Sequence, residues 1–205
     1  DILASADVIV AEDTRSCRRL MEIHGIAVGD RPLVAYHDHS GAATRDRLMA
    51  QIAEGKSVAY ASEAGTPLVA DPGYALASDA IAAKHLVTSA PGPSAIIAAL
   101  TIAGLPTDRF HFAGFSPNTK TQRQKFLREL SAVQATVVLY ESPKRLVATL
   151  ADLADVMGPP RRAAVARAPP KKFAEGPRGT LAWLQEEINK RSTTRQNGAS
   201  GDARG

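Results

Sequence analysis

Short runs of consecutive apolar residues alternate along the chain with longer stretches whose apolar positions recur every three or four residues. The short runs lack polar alternation, as strands buried on both faces do, and the longer stretches predict amphipathic helices laid against them. On this pattern, strands are expected at Val8 to Ala11, Leu33 to Tyr36, Ser57 to Ala61 and Leu86 to Ala90. Helices are expected at Thr14 to His24, from Ser40 through Leu48 and Ile52 to Gly55, at about Tyr74 to Lys84, and from Pro93 to Ala103. Gly25 stands where a left-handed helix cap is common, and Ser40 offers a capping hydroxyl. The series describes one doubly wound α/β domain, a parallel sheet with helices on both faces.

Gly104, Leu105, Pro106 and Thr107 interrupt the series, which places a domain boundary near residue 107. Beyond it a second, smaller α/β domain is expected over 108–190. Its elements are a strand Phe110 to Phe115, a basic helix over 120–131, a strand Thr136 to Tyr140, a helix Pro143 to Val156, a strand Ala163 to Arg167 and a last helix over 180–190. From Arg191 to residue 205 no large apolar residue occurs, and the segment 191–205 is expected to be a disordered tail.

Composition changes this picture only at the edges. With 44% hydrophobic and 22% charged residues the chain is an ordinary globular one, and with only 5% aromatics its core is aliphatic. No apolar run approaches a membrane span, so a cytoplasmic protein without a leader or membrane contact is expected. Cys17 stands alone and excludes an internal disulfide or a thiolate metal cluster. The net charge of +4 is mild, but its placement is informative. Arg15, Arg18 and Arg19 follow one strand end, Lys144 and Arg145 follow another, and Lys120, Arg123, Lys125 and Arg128 decorate one helix, a distribution that suits a polyanionic substrate or a solvated surface.

The candidate chemistry sits at strand ends. Residues 61–73, ASEAGTPLVADPG, place Gly65, Pro67, Pro72 and Gly73 directly after an apolar strand, more breakers than termination needs. Such a loop brings backbone amides close to a ligand, and Ala64, Gly65, Thr66, Pro67 and Asp71 are its candidate contacts. Pro91, Gly92, Pro93 and Ser94 form a second rim after the expected strand 86–90, and two rims at strand carboxyl ends make a crevice. Glu12, Asp13 and Arg15 stand between a strand end and a helix start. Asp13 suits an N-cap as well as catalysis, whereas Glu12 must find a partner or face a cleft. His37, Asp38 and His39 form a weak metal set and suit loop hydrogen bonding better. Tyr140 and Glu141 end a strand before Ser142 and Pro143, and no histidine is placed to make Ser142 a nucleophile. Neither a Walker A sequence nor a G-x-G-x-x-G sequence occurs.

Taken in order, AEDTRSCRRL, HDHS, AGTPLVADPG, PGPSA, GLPTDRF, GFSP, YESPKR and RGTL resemble the ribosomal RNA small subunit methyltransferase I family of the tetrapyrrole methylase superfamily, from residue 1 to about 183. The resemblance implies a two-domain tetrapyrrole-methylase-like fold that holds S-adenosylmethionine in the cleft between its domains. It implies methylation of the ribose 2′-hydroxyl of a cytidine in 16S rRNA of the small ribosomal subunit, by a homodimer. The cofactor wall would then be built from 64–73 and the PGPSA turn 91–95, with Tyr140, Glu141, Ala166 and Arg167 from the second domain. Glu12 or Asp13 would be the base, with Arg15 fixing it, His37 and His39 being the runners-up. Arg18, Lys144 and Arg145 would meet RNA phosphate. The chain departs from the family pattern in four places: the first strand and the closing strand are expected to be missing, Glu63 replaces an aspartate, and Ala166 to Lys171 reads ARAPPK. Alternative expectations are a methyltransferase acting on a porphyrinogen or corrin, or an inactive truncated fragment.

Overall fold

A computed structural model describes residues 1–37, 40–63, 65–167 and 176–199, with side chains up to residue 191 in the final helix. The chain divides into two compact units, Asp1–Ser94 and Ala95–Gly205.

The first unit is built on α1 (Ile2–Ser5), β1 (Val8–Ala11), α2 (Thr14–Ile23), β2 (Leu33–Ala35), α3 (Ala42–Ala53), β3 (Val58–Ala61) and α4 (Tyr74–Ala82). Its sheet is parallel with order β2-β1-β3, and β1 is central, Ala11 facing Ala35 on one side and Ala61 on the other. All four β1 residues are buried because the strand is covered on both faces. Val8 and Val10 pack with Leu48 of α3 and Leu76 of α4, while Ile9 and Ala11 pack with Cys17 and Met21 of α2. This is the two-sided burial that an unalternating apolar run implies. Gly25, just past α2, takes φ 67 as the cap position asks.

Two local expectations fail in this unit. Ser40 does not cap α3: Gly41 is the N-cap, and Ser40 Oγ instead accepts the His37 N–H at 2.8 Å, closing the turn after β2. Residues 86–90 form no strand. Apolar character is not sufficient for a strand, which needs a neighbouring edge for its N–H and C=O groups. Among the described residues β3 pairs only with β1, and Leu86 is 93% exposed. Among the described residues the sheet therefore has three strands, and the 91–94 turn does not stand at a strand end.

The second unit comprises α5 (Ala95–Ala103), β4 (Phe110–Phe115), α6 (Lys120–Ser131), β5 (Thr136–Tyr140), α7 (Leu146–Met157), β6 (Arg162–Ala164), β7 (Arg178–Thr180) and α8 (Leu181–Ala199). Strands β4 and β5 pair in parallel, β6 and β7 antiparallel. The division precedes α5 instead of falling near residue 107, which makes the second unit the longer of the two. The reason is visible at the end of α5, where the Ile102 and Gly104 carbonyls accept from Arg178 and Arg162 of the β6–β7 hairpin. Helix α8 packs Leu181 and Leu184 against Leu150 and Ala154 of α7. It continues to residue 199 across a stretch expected to be disordered. Once nucleated, a helix extends at little cost, and the Arg191 to Glu187 ion pair at 2.7 Å reinforces its exposed side. Residues 200–205 lie outside the described residues.

Candidate functional site

The parallel order brings the carboxyl ends of β1, β2 and β3 to one edge of the sheet, so Glu12 and Asp13, His37, and the loop from Ser62 all leave from the same rim. Glu12 follows the last residue of β1 and is half-buried. Asp13 is the N-cap of α2: its Oδ1 accepts the Arg15 N–H at 2.8 Å, and Ser16 Oγ lies 3.4 Å from Oδ2. The bond from the Arg15 backbone chiefly, with the Arg15 charge also contributing, holds its carboxyl below the ordinary aspartate range. A carboxylate so held is a weak base. Arg15 also sets Nε 3.4 Å from Asp13 Oδ1, but its side chain is 91% exposed, and Arg18 is exposed one turn further along α2. Cys17, buried on the other side of the same helix, is pushed up in pKa by burial and packs in the core. His39 and Asp38 lie outside the described residues, and no metal-holding group of three His, Cys, Asp or Glu occurs among the described ones.

The loop after β3 has the most unusual backbone of the first unit. Gly65, Leu68, Ala70 and Gly73 all take positive φ, at 76, 67, 59 and 115°. Left-handed conformation costs a side-chain-bearing residue about 1–2 kcal/mol, and such strain concentrates where backbone is shaped for a ligand. Pro72 and Gly73 are buried at the base of the loop. A Cβ on Gly73 would lie 2.4 Å from Leu68 Cδ2 and 3.4 Å from the Tyr60 ring, whereas one on Gly65 would meet nothing within 4 Å. Gly73 is thus the packed foot of the loop and Gly65 its open lip. Thr66 Oγ1 donates to the Pro93 carbonyl at 3.3 Å, which joins this loop to the 91–94 turn although that turn follows no strand. Ser62 Oγ donates to the Gly65 carbonyl at 3.2 Å. Ala64 lies outside the described residues; Asp71 is half-buried in the loop.

In the second unit, Tyr140 ends β5 with its ring 4.9 Å from Phe112 and 5.3 Å from Phe115. Glu141 is not an open ligand. Its Oε2 accepts from Ser116 Oγ and from Thr149 Oγ1, the latter at 2.7 Å, and its Oε1 accepts the Ser142 N–H at 2.8 Å. Burial pushes its carboxyl up, but these bonds and the Arg145 charge together hold it below the usual glutamate range. Arg145 is spent on the turn after β4, while Lys144 beside it is exposed. Ala166 adjoins Ile102, Ala103 and Gly176 in a shallow crevice, Arg167 is exposed, and residues 168–171 lie outside the described ones. Nothing local in the sequence signals the bonds of Arg145 to Ser116 and of Arg123 to Asp152, each 29 positions away.

The profile of the tetrapyrrole (corrin/porphyrin) methylases matches residues 1–182. The chain belongs to that family. It is 45% identical over 186 residues to a Mesorhizobium japonicum protein named ribosomal RNA small subunit methyltransferase I, covering 91% of this chain and 62% of the relative. It is 43% identical to the protein of that name from Xylella fastidiosa, covering 91% and 67% of the two chains. The chain thus spans about two thirds of these relatives' length. Among solved structures, the methyltransferase CobJ superposes with a TM-score of 0.62 at 23% identity, covering 91% of this chain and 80% of that one. Cobalt precorrin-4 methyltransferase CbiF gives the same score at 15% identity, covering 93% and 81%. These two likenesses establish the tetrapyrrole methylase fold, and the α/β architecture expected from the sequence is the one observed.

Proposed function

We propose that this methylase transfers a methyl group from S-adenosylmethionine to the ribose 2′-hydroxyl of a cytidine in 16S rRNA of the small ribosomal subunit. The observation that carries the reading is the Gly65–Gly73 loop, with left-handed residues along it, at the carboxyl end of β3 and tied to Pro93, in a chain whose curated relatives are named for methylating small-subunit ribosomal RNA. The residues present fit the cofactor. Gly65, Thr66, Pro67 and the 91–94 turn set no fixed cation against a sulfonium, Asp71 is the acid of the same loop, and the loop's turned backbone offers amides for the cofactor's polar ends. Bound there, S-adenosylmethionine would supply an electrophilic methyl.

What the chain itself must do is orient the ribose oxygen and take its proton. Of the two acids at the rim, Asp13 is committed to capping α2 and is held at low pKa, so Glu12 is assigned the base and Asp13 the positioning of Arg15. A positioned general base contributes roughly 10² to 10⁴-fold. The exposed Arg15, Arg18 and Lys144 are assigned to RNA phosphates, giving marked salt dependence. A homodimer and a cytoplasmic location belong to the same proposal; among the described residues no helix is long and apolar enough to cross a membrane.

The test is methyl transfer from labelled S-adenosylmethionine to purified small subunits, with nuclease mapping of the label to a ribose and a porphyrinogen as the competing acceptor. Label on the porphyrinogen alone would overturn the substrate assignment. In single-turnover assays Glu12→Gln should lose about a hundredfold or more in rate with cofactor affinity kept. Asp13→Asn should lower the melting temperature and affect rate less. Full activity in Glu12→Gln would remove Glu12 as the base.

A further inference from the structure

Two arginines of the second unit converge on one short turn. After β4 the chain passes through Ser116, Pro117 and Asn118 to Thr119, the N-cap of α6. Arg145 Nη2 donates to the carbonyls of Ser116 at 2.7 Å and Pro117 at 2.6 Å and to Ser116 Oγ at 3.0 Å, and Nη1 donates to Asn118 Oδ1 at 2.6 Å. Glu141 stands behind it at 3.4 Å. Arg123 reaches the Asn118 carbonyl at 3.4 Å and is itself anchored on Asp152 at 2.6 and 2.7 Å, with Gln124 on the other Asp152 oxygen at 3.0 Å. The anchoring carboxylates are 7% and 3% exposed.

Burying two ion pairs carries a desolvation cost that their attraction repays only with good geometry. Here the geometry holds three consecutive residues. The outward side of that segment is nevertheless exposed, at Asn118, Thr119 and Lys120. It stands at the carboxyl end of β4, whose Phe115 pairs with Tyr140 at the end of β5, the edge at which parallel sheets meet ligands. A guanidinium has no acceptor, so Asn118 turns Oδ1 to Arg145 and its NH2 group away from it, on the same exposed segment as the Lys120 ammonium. The segment presents donors, which suit an RNA backbone.

We propose that Arg145 is a positioning residue for RNA binding: it locks the 116–118 turn so that the donors of Asn118 and Lys120 meet the strand, and it pairs with no phosphate itself. This rests on the ribosomal RNA reading above. The experiment is filter binding of the 205-residue chain to small subunits across a salt series, with cofactor affinity and thermal melting measured in parallel. A phosphate contact at Arg145 would survive in Arg145→Lys, and Arg145→Ala would lower the log–log salt slope by about 0.7 to 0.9. A lock predicts otherwise. Lysine cannot reproduce the fork, so both variants should lose at least tenfold in subunit affinity and, with Lys120 displaced in each, an equal part of the salt slope, with cofactor affinity unchanged. Parent-like affinity in Arg145→Lys, or a reduced slope confined to Arg145→Ala, would overturn the proposal. Should both variants fail to fold, exposed Asn118→Ala decides: a several-fold loss at unchanged melting temperature supports the lock, and parent affinity overturns it. A parent chain that binds no subunits would overturn the ribosomal RNA reading, whereas a binding parent matched by Arg145→Lys overturns only the lock.

Discussion

Replacing Gly73 by alanine is expected to weaken S-adenosylmethionine binding at least tenfold without unfolding the first unit. At φ 115 the new side chain carries a left-handed backbone penalty of about 1–2 kcal/mol. Its Cβ would also stand 2.4 Å from Leu68 Cδ2. A leucine terminus can turn aside, so the perturbation consists of the displaced Leu68 side chain within the loop, the 3.4 Å approach to the Tyr60 ring and the backbone penalty. Tenfold in affinity is about 1.4 kcal/mol, less than one displaced pair of charge-assisted hydrogen bonds can account for. Gly29→Ala separates strain from cradle: Gly29 takes φ 61 with nothing within 4 Å of its Cβ, so it shares the backbone penalty and nothing else. Calorimetric titration of both variants beside urea denaturation gives the comparison. If Gly73→Ala loses stability but binds cofactor as tightly as Gly29→Ala and the parent, the ligand does not rest on this loop.

Three further outcomes follow from side-chain networks. Glu141 has a lowered folded pKa, so its stabilisation is present above the unfolded value of about 4.3 and is lost as pH falls through the folded one; urea midpoints should therefore drop on acidification below about pH 5, and Glu141→Gln should lack that component. Arg31 donates to the carbonyls of Leu3 at 2.7 Å, Ala6 at 3.0 Å and Val28 at 2.9 Å, fastening α1 to the loop before β2; Arg31→Ala should cost roughly 2–4 kcal/mol and open residues 2–6 to hydrogen exchange, and unchanged protection there would refute the fastening. Removing Asp152 alone leaves Arg123 buried without its carboxylate and should cost about 3–5 kcal/mol, while Arg123→Met with Asp152→Leu should recover most of it; a double variant no better than the single one would deny the pair its coupling.

What could be read from the sequence divides along the range of the interactions involved. Strands β1, β4 and β5 and helix α6 stand at the positions expected, because an unbroken apolar run or a 3.6-residue period bounded by Gly, Pro or a cap states its own conformation. Residues 86–90 carry the same local signature as β1 and form no strand, since what decides is a free sheet edge beside them, which no window of residues contains. β7 was missed for the complementary reason: Arg178, Gly179 and Thr180 have no strand-like pattern and are extended because β6 pairs with them. The loop from Gly65 to Gly73 was legible as unusual through its Gly and Pro content, but the left-handed Leu68 and Ala70 within it were not.

The cations show the same limit more sharply, and it bears on function. In sequence, Arg15, Arg18, Arg31, Arg123, Lys144 and Arg145 are equivalent positive charges. In the fold Arg31, Arg123 and Arg145 are consumed by backbone carbonyls and buried carboxylates, while Arg15, Arg18 and Lys144 remain exposed. Their partners lie 25 to 29 positions away for the long-range bonds, so only the paired strands and packed helices bring them together. A net charge of +4 is thus a poor guide to how much charge is available to the proposed RNA substrate, because internal and external arginines enter the sum alike. The expected salt dependence should be counted from the exposed set. Glu141 follows the same logic from the acidic side: standing at a strand end made it resemble a cofactor ligand, yet its four bonding partners make it the anchor of Arg145, and any effect of its substitution on RNA binding should run through the 116–118 turn.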